Sequence, residues 1–183
     1  MKNQRDSFII HRAKEGDIKA FAELVSKYKD MIFSVVMKIT GNREDAEDLL
    51  QEIFIKIYRT MDQFRETSEF STWIYRIAYT TTISELRKRK VYFSSIEDNT
   101  TALETADDDE QETALKLEYL DAALKKLPPN ENFLITLYYL DEQSVDAISE
   151  ISGLTTANVK VKLHRIRKKL AFEINKMMND EKE

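Results

Sequence analysis

The sequence predicts an all-α fold of two small helical domains joined by an acidic flexible linker, the C-terminal one a helix-turn-helix. Three observations lead there. Only three Gly and two Pro interrupt 183 residues, so the chain has few places to turn. Apolar residues recur at spacings of three and four rather than alternating, as they do in helices that bury one stripe. Charge is also segregated: residues 1–93 carry a net +3, residues 94–115 a net −8 with no Lys or Arg, and residues 116–183 balance to zero. The middle stretch, "SSIEDNTTALETADDDEQETAL", has too little apolar surface to offset the entropy of ordering it. It divides the chain into domains at 1–93 and 115–183 around a linker at 94–114. With 42% hydrophobic residues, each domain has material for a core.

The first domain reads as successive helices. Asp17 is placed to cap a segment whose Ile18, Phe21, Leu24, Val25 and Tyr28 keep helical spacing, and Met31, Ile32, Val35, Val36 and Ile39 carry it to Gly41-Asn42. Asn42 then caps "REDAEDLLQEIFIKIYR". There Glu44, Asp45, Glu47 and Asp48 complement the positive end of the helix, while Ala46, Leu49, Leu50, Ile53, Phe54, Ile57 and Met61 form a broad apolar face. After the polar "RETSE", a helix is predicted from Phe70 to about Val91, with Phe70, Trp73 and Ile77 as its buried stripe.

In the second domain, "ALKLEYLDAALKKL" ends at Pro128-Pro129, because proline cannot continue the preceding helix. Asn130 is the expected cap of a helix holding Phe133, Leu134, Leu137 and Leu140. A short helix with Val145, Ile148 and Ile151 on its face, a turn at "SGLTT" and a long helix capped by Thr155 or Thr156 complete a helix-turn-helix, the layout that lays its second helix in the major groove of DNA.

Several chemistries find no residues. There is no Cys, hence no disulfide framework or thiolate metal site, and a reducing cytoplasm is the expected compartment. No uninterrupted apolar run approaches the roughly 20 residues that span a bilayer. The two histidines, His11 and His164, stand alone, so the carboxylates of Asp45, Asp48 and Glu52 lack the His partners of a helical metal site. Phosphate loops, dinucleotide fingerprints and nucleophile elbows are absent. The expectation is a non-enzyme with no cofactor, no metal and no small-molecule substrate. On spacing alone the acidic helix is either a solvated helix start or a docking surface for a basic partner.

The last helix is more specific. "TTANVKVKLHRIRKKL", residues 155–170, holds six Lys or Arg and no acid in a chain of net charge −5. At about 100° per residue, Val159, Leu163, Ile166 and Leu170 share one stripe that must face the core. The opposite side carries Ala157, Val161, His164, Arg165 and Lys168, flanked by Asn158, Lys160, Lys162, Arg167 and Lys169. A merely solvated face would mix signs; this one fits a polyanion, with Lys and Arg on phosphates and the first turns near base edges. A second candidate surface lies between Phe64 and Thr80, where Phe64, Phe70, Trp73, Tyr75 and Tyr79 interleave with Arg65 and Arg76, the combination that holds unstacked bases. Core packing competes for the same rings.

Taken together, "GNREDAEDLLQEIFIKIYRTMDQFRETSEFSTWIYRIA" and "LPPNENFLITLYYLDEQSVDAISEISGLTTANVKVKLHRIRKKL" resemble the extracytoplasmic-function group of sigma-70 family transcription initiation factors, over nearly the whole chain and in family order. The resemblance implies a protein that binds core RNA polymerase, directs it to promoter DNA and helps open the duplex. It implies core-polymerase docking at Asp45, Asp48, Leu49, Gln51, Glu52 and Phe54. Minus-10 recognition with a flipped-out base falls to Phe64, Arg65, Ser68, Trp73, Arg76, Tyr79 and Thr80. Minus-35 recognition falls to Thr155, Thr156, Asn158, Lys160, Val161, Lys162, His164, Arg165 and Lys168. The linker would thread toward the RNA exit path, its eight acids standing in for nucleic acid. An anti-sigma factor is implied as regulator.

Two departures from the family pattern bear on promoter choice. Where many relatives have Arg-Asn after "RIA", this chain has Tyr79-Thr80, and Val161 takes a place where a small polar residue is frequent. The pattern of a basic helix alone also fits a stand-alone helix-turn-helix regulator that binds a palindrome without polymerase.

Overall fold

The computed structural model describes residues 2–92 and 108–180. Among them stand eight α-helices, one 3-10 turn and no strand: α1 (Lys2–Lys14), α2 (Ile18–Thr40), α3 (Arg43–Arg59), the turn Met61–Gln63, α4 (Phe70–Tyr92), α5 (Asp108–Lys125), α6 (Pro129–Tyr139), α7 (Val145–Ser152) and α8 (Thr156–Asp180). The expected linker at 94–107 lies outside the described residues. Residues 108–114, given to that linker by composition, are the first turns of α5.

The caps explain most of the helix boundaries. Asp17 Oδ1 accepts from the backbone N–H groups of Lys19 and Ala20 at 2.9 and 3.1 Å. The Ala20 bond, seconded by the Arg12 guanidinium, holds the Asp17 carboxyl below the usual carboxylate range. α2 ends where Gly41 takes φ 67° and returns its N–H to the Met37 carbonyl at 2.9 Å, a left-handed cap that suits a residue with no Cβ. Asn42 at once caps α3 through the Asp45 N–H at 3.2 Å. α6 departs from expectation: Pro129 opens it with Pro128 as a cap that has no side-chain hydrogen bond, and Asn130 is already inside the helix. Proline at the first helical position sacrifices only an N–H that has no helical partner anyway.

α2 and α3 pack as an antiparallel pair against α4. Leu24, Ile32, Val35 and Val36 of α2 share one core with Leu49, Ile53 and Ile57 of α3 and with Met61, all almost fully buried, each large side chain contributing about 1.5–3 kcal/mol. α1, which periodicity did not reveal, lies on α2 through Ile10 and Ala13 and is tied down by Lys14, whose Nζ donates to the Phe64 carbonyl at 2.8 Å. Ile18, expected in the apolar stripe of α2, is 72% exposed.

The two domains do not stand apart. α6 is buried on every side from Asn132 to Leu137 because it packs on α2 and α4 as well as on α7 and α8. α7 also packs on α4, so the apolar cluster runs continuously through both halves.

Candidate nucleic-acid interface

The helix-turn-helix is built from local hydrogen bonds. Ser144 Oγ caps α7 by accepting from the Ala147 N–H at 3.1 Å. Gly153, at φ 72°, closes its end with an N–H to the Ser149 carbonyl. Ser149 Oγ donates to the Leu154 carbonyl, and Thr155 Oγ1 then accepts from the Asn158 N–H at 3.2 Å. Thr155 is thus the cap of α8, its hydroxyl engaged in starting the helix.

The predicted wheel of α8 holds. Val159, Leu163, Ile166 and Leu170 are buried, while Thr156, Asn158, Lys160, Val161, His164, Arg165 and Lys168 are exposed and Lys162 is half-buried. Lys169 pairs with Glu131 at 2.7 Å, and the Arg167 guanidinium lies 5.8 Å from the ring centres of both Tyr138 and Tyr139. These two cations at the edge are occupied. Among the described residues no carboxylate stands within ion-pair distance of Lys160, Lys162, Arg165 or Lys168, so the centre of the face keeps its charge for an outside anion.

α4 is more constrained. Phe64, Phe70 and Trp73 form an aromatic cluster with ring centres 5.1 to 5.6 Å apart, and Tyr28 joins it at 5.6 Å from Phe70. Phe64 is only 4% exposed, so it serves the core and offers no face to a base. Ser68 and Trp73 are half-buried, and Arg65, Arg76 and Thr80 are exposed. The Thr80 hydroxyl donates back to the Arg76 and Ile77 carbonyls at 3.0 and 3.1 Å. Tyr79 is half-buried, its ring 5.1 Å from that of Phe133 in an edge-on contact. Arg87 was absent from the expected set, yet it follows Arg76, Thr80 and Ile83 at helical spacing, is exposed, and its charge reaches Tyr79.

On α3 the expected docking set divides. Asp48, Gln51 and Glu52 are exposed; Leu49 at 1% and Phe54 at 9% exposure belong to the core. Asp45 is half-buried and ion-paired with Arg89 of α4. The outer face is completed by Ile55 and Tyr58, both exposed and both missing from the sequence-based set. Tyr58 meets Phe21 edge-on at 4.9 Å. The spacing Asp48, Gln51, Ile55, Tyr58 was visible as one helix face, but nothing local showed that this face would lack a cover. Among the described residues no helix is long and apolar enough to cross a membrane.

Comparison with known proteins fits this geometry. Residues 24–91 match sigma-70 region 2, and residues 117–170 match sigma-70 region 4. The chain is 36% identical over 176 residues to the ECF RNA polymerase sigma factor SigW of Bacillus subtilis, covering 90% of this chain and 94% of that one. It is 30% identical over 189 residues to the ECF RNA polymerase sigma-E factor of Escherichia coli, covering 94% and 96%. In fold it is similar to CnrH in complex with the cytosolic domain of CnrY (TM-score 0.68, 20% identity, 93% and 97% of the two chains). It is equally similar to the sigma factor RpoE of Bartonella quintana in complex with the anti-sigma factor NepR (TM-score 0.68, 21% identity, 86% and 98%).

Proposed function

Because the chain belongs to the extracytoplasmic-function group of the sigma-70 family, we propose that it binds core RNA polymerase, carries it to a defined set of promoters and helps open them. It catalyses no reaction itself and works in the cytoplasm. The supporting observation is the α8 face: largely exposed, free of acids, with its central Lys and Arg unpaired among the described residues, on a capped helix-turn-helix frame. Lys160, Lys162, Arg165 and Lys168 take phosphates flanking the minus-35 element. Asn158, Val161 and His164 lie nearest the base edges, Val161 suiting a thymine methyl.

Polymerase docks on the outer face of α3. Asp48, Gln51 and Glu52 meet cations of the partner, and Ile55 and Tyr58 supply the apolar part of the contact, as interfaces commonly combine an apolar centre with a polar rim. Arg65, Arg76, Tyr79 and Thr80, with Trp73 behind them, take the single-stranded minus-10 element. The sigma factor RpoE, similar in fold, is co-crystallised with the anti-sigma factor NepR, and this chain is held by an anti-sigma factor of its own.

Run-off transcription with purified core polymerase tests the reading. The expected result is promoter-specific transcript only when both are present, with weak duplex binding by the protein alone. Tight operator binding without polymerase, and no promoter-directed transcript, would replace it with the stand-alone regulator.

A further inference from the structure

We propose that Lys14 of α1 is a positioning residue for promoter opening, holding the loop at residues 65–69 in the shape that receives an unstacked minus-10 base. The inference rests on the assignment of the segment from Phe64 to Thr80 to the minus-10 strand and deepens it. α1 lies wholly before residue 24, where the match to sigma-70 region 2 begins.

The loop is anchored at both ends and open in between. Phe64 and Phe70 are buried in one aromatic cluster, their ring centres 5.1 Å apart, so the chain leaves the core at one ring and returns to it at the other. Between them Arg65, Glu66, Thr67 and Glu69 are exposed and Ser68 is half-buried. No helical ladder runs through these five residues. Glu66 takes φ 58°, in the left-handed region where a residue with a Cβ is strained. Such a conformation persists only where the surroundings over-determine it.

α1 supplies those surroundings. The half-buried Lys14 Nζ donates to the Phe64 carbonyl at 2.8 Å and lies 3.9 Å from Glu66 Oε1, so one ammonium spans the last core residue and the strained one. The other end of α1 reaches the second anchor. Asp6 Oδ2 accepts from the Tyr28 hydroxyl at 3.2 Å, and the Tyr28 ring meets Phe70 edge-on at 5.6 Å. Asp6 is also ion-paired with Lys27, and Ile10 and Ala13 seat the helix in the core. A helix fixed in this way grips both ends of the loop. A loop shaped before DNA arrives does not have to be ordered on binding, a cost that would otherwise be subtracted from affinity. Arg65 and Ser68 are thereby presented to the strand, and Lys14 acts through them without touching DNA.

The test uses the full chain with core polymerase and a promoter that run-off transcription has established. The probe is the single-stranded non-template minus-10 oligonucleotide of that promoter, carrying 2-aminopurine at each position in turn. Lys14→Met keeps the length of the side chain and removes the ammonium. It is expected to bind the strand about tenfold more weakly and to open the promoter about tenfold more slowly, with wild-type affinity for core polymerase and for minus-35 duplex. Lys14→Arg, which keeps the charge and the donors, should restore both. Arg12→Met cuts the ion pair of α1 with Asp17 without touching the loop, and should bind the strand as the wild type does. Equal strand binding by Lys14→Met and the wild type overturns the proposal. An equal loss in Arg12→Met also overturns it, since any loosening of α1 would then suffice. A wild type that yields no promoter-directed transcript overturns the functional reading, and the proposal falls with it.

Discussion

The two helices that carry the basic faces of this protein, α4 and α8, obey the same periodicity and end in different situations. α8 buries one stripe and leaves the rest open, so its Lys160, Lys162, Arg165 and Lys168 stand ready for phosphate. α4 buries two opposite stripes and keeps a narrow edge of Arg76, Thr80 and Arg87. The difference arises from neighbours. α8 sits at the end of the bundle against α5, α6 and α7, whereas α4 is flanked by α2 and α3 on one side and by α6 and α7 on the other. A basic helix face can therefore be exposed by its position in the fold or partly covered by it, whatever the periodicity of the helix.

The comparison breaks most visibly at Phe133, fully buried against Tyr79. Phe133→Ala should destabilise the protein by about 4 kcal/mol, read as a lower denaturation midpoint, whereas Val161→Ala on the open face of α8 should change stability by less than about 0.5 kcal/mol. Equal effects would erase the distinction between a covered and an open helix. Next in size, Lys160→Glu with Arg165→Glu should lower transcription from a target promoter roughly 100-fold, equivalent to about 3 kcal/mol. Helix content and polymerase binding should be retained.

On α4, Arg76→Ala should slow formation of the open complex about tenfold while leaving duplex minus-35 binding alone. A permanganate footprint of the melted strand separates this from a loss on α8. The smallest effect is expected away from both helices. Asp17 is held below the usual carboxylate range by the Ala20 N–H and Arg12, so its contribution is present above that range and lost as pH falls through its folded-state value. Asp17→Asn should narrow the stability gap between neutral and acidic pH in a denaturation series, with no change in promoter choice.

Much of this molecule was legible residue by residue. The α8 stripe, the Asn42 cap, the Gly41 and Gly153 ends and the helix-turn-helix follow from rules acting within a few residues, and all are present. The candidate site was legible where its residues lie opposite a single clear stripe, as on α8. It was less so on α3, where Leu49 and Phe54 are core and Ile55 and Tyr58 are surface; a helix of mixed apolar and acidic residues admits more than one wheel. α1 escaped because its apolar signal is confined to Phe8, Ile9 and Ile10, with Ala13 beyond, and it gains stability only by lying on α2.

The sequence by itself determined α2, α3, α7 and α8 with the Asp17, Asn42 and Thr155 caps, the family and the cationic face of α8, because helical period, capping and charge are properties of neighbouring residues. Tertiary structure alone decided that the second side of α4 is covered, that Phe64 is core and Tyr79 half-hidden, and that Asp45 is tied to Arg89. Burial depends on which surfaces the remote chain brings together, and Phe133, 54 residues after Tyr79 in the sequence, leaves no trace in the local pattern around it.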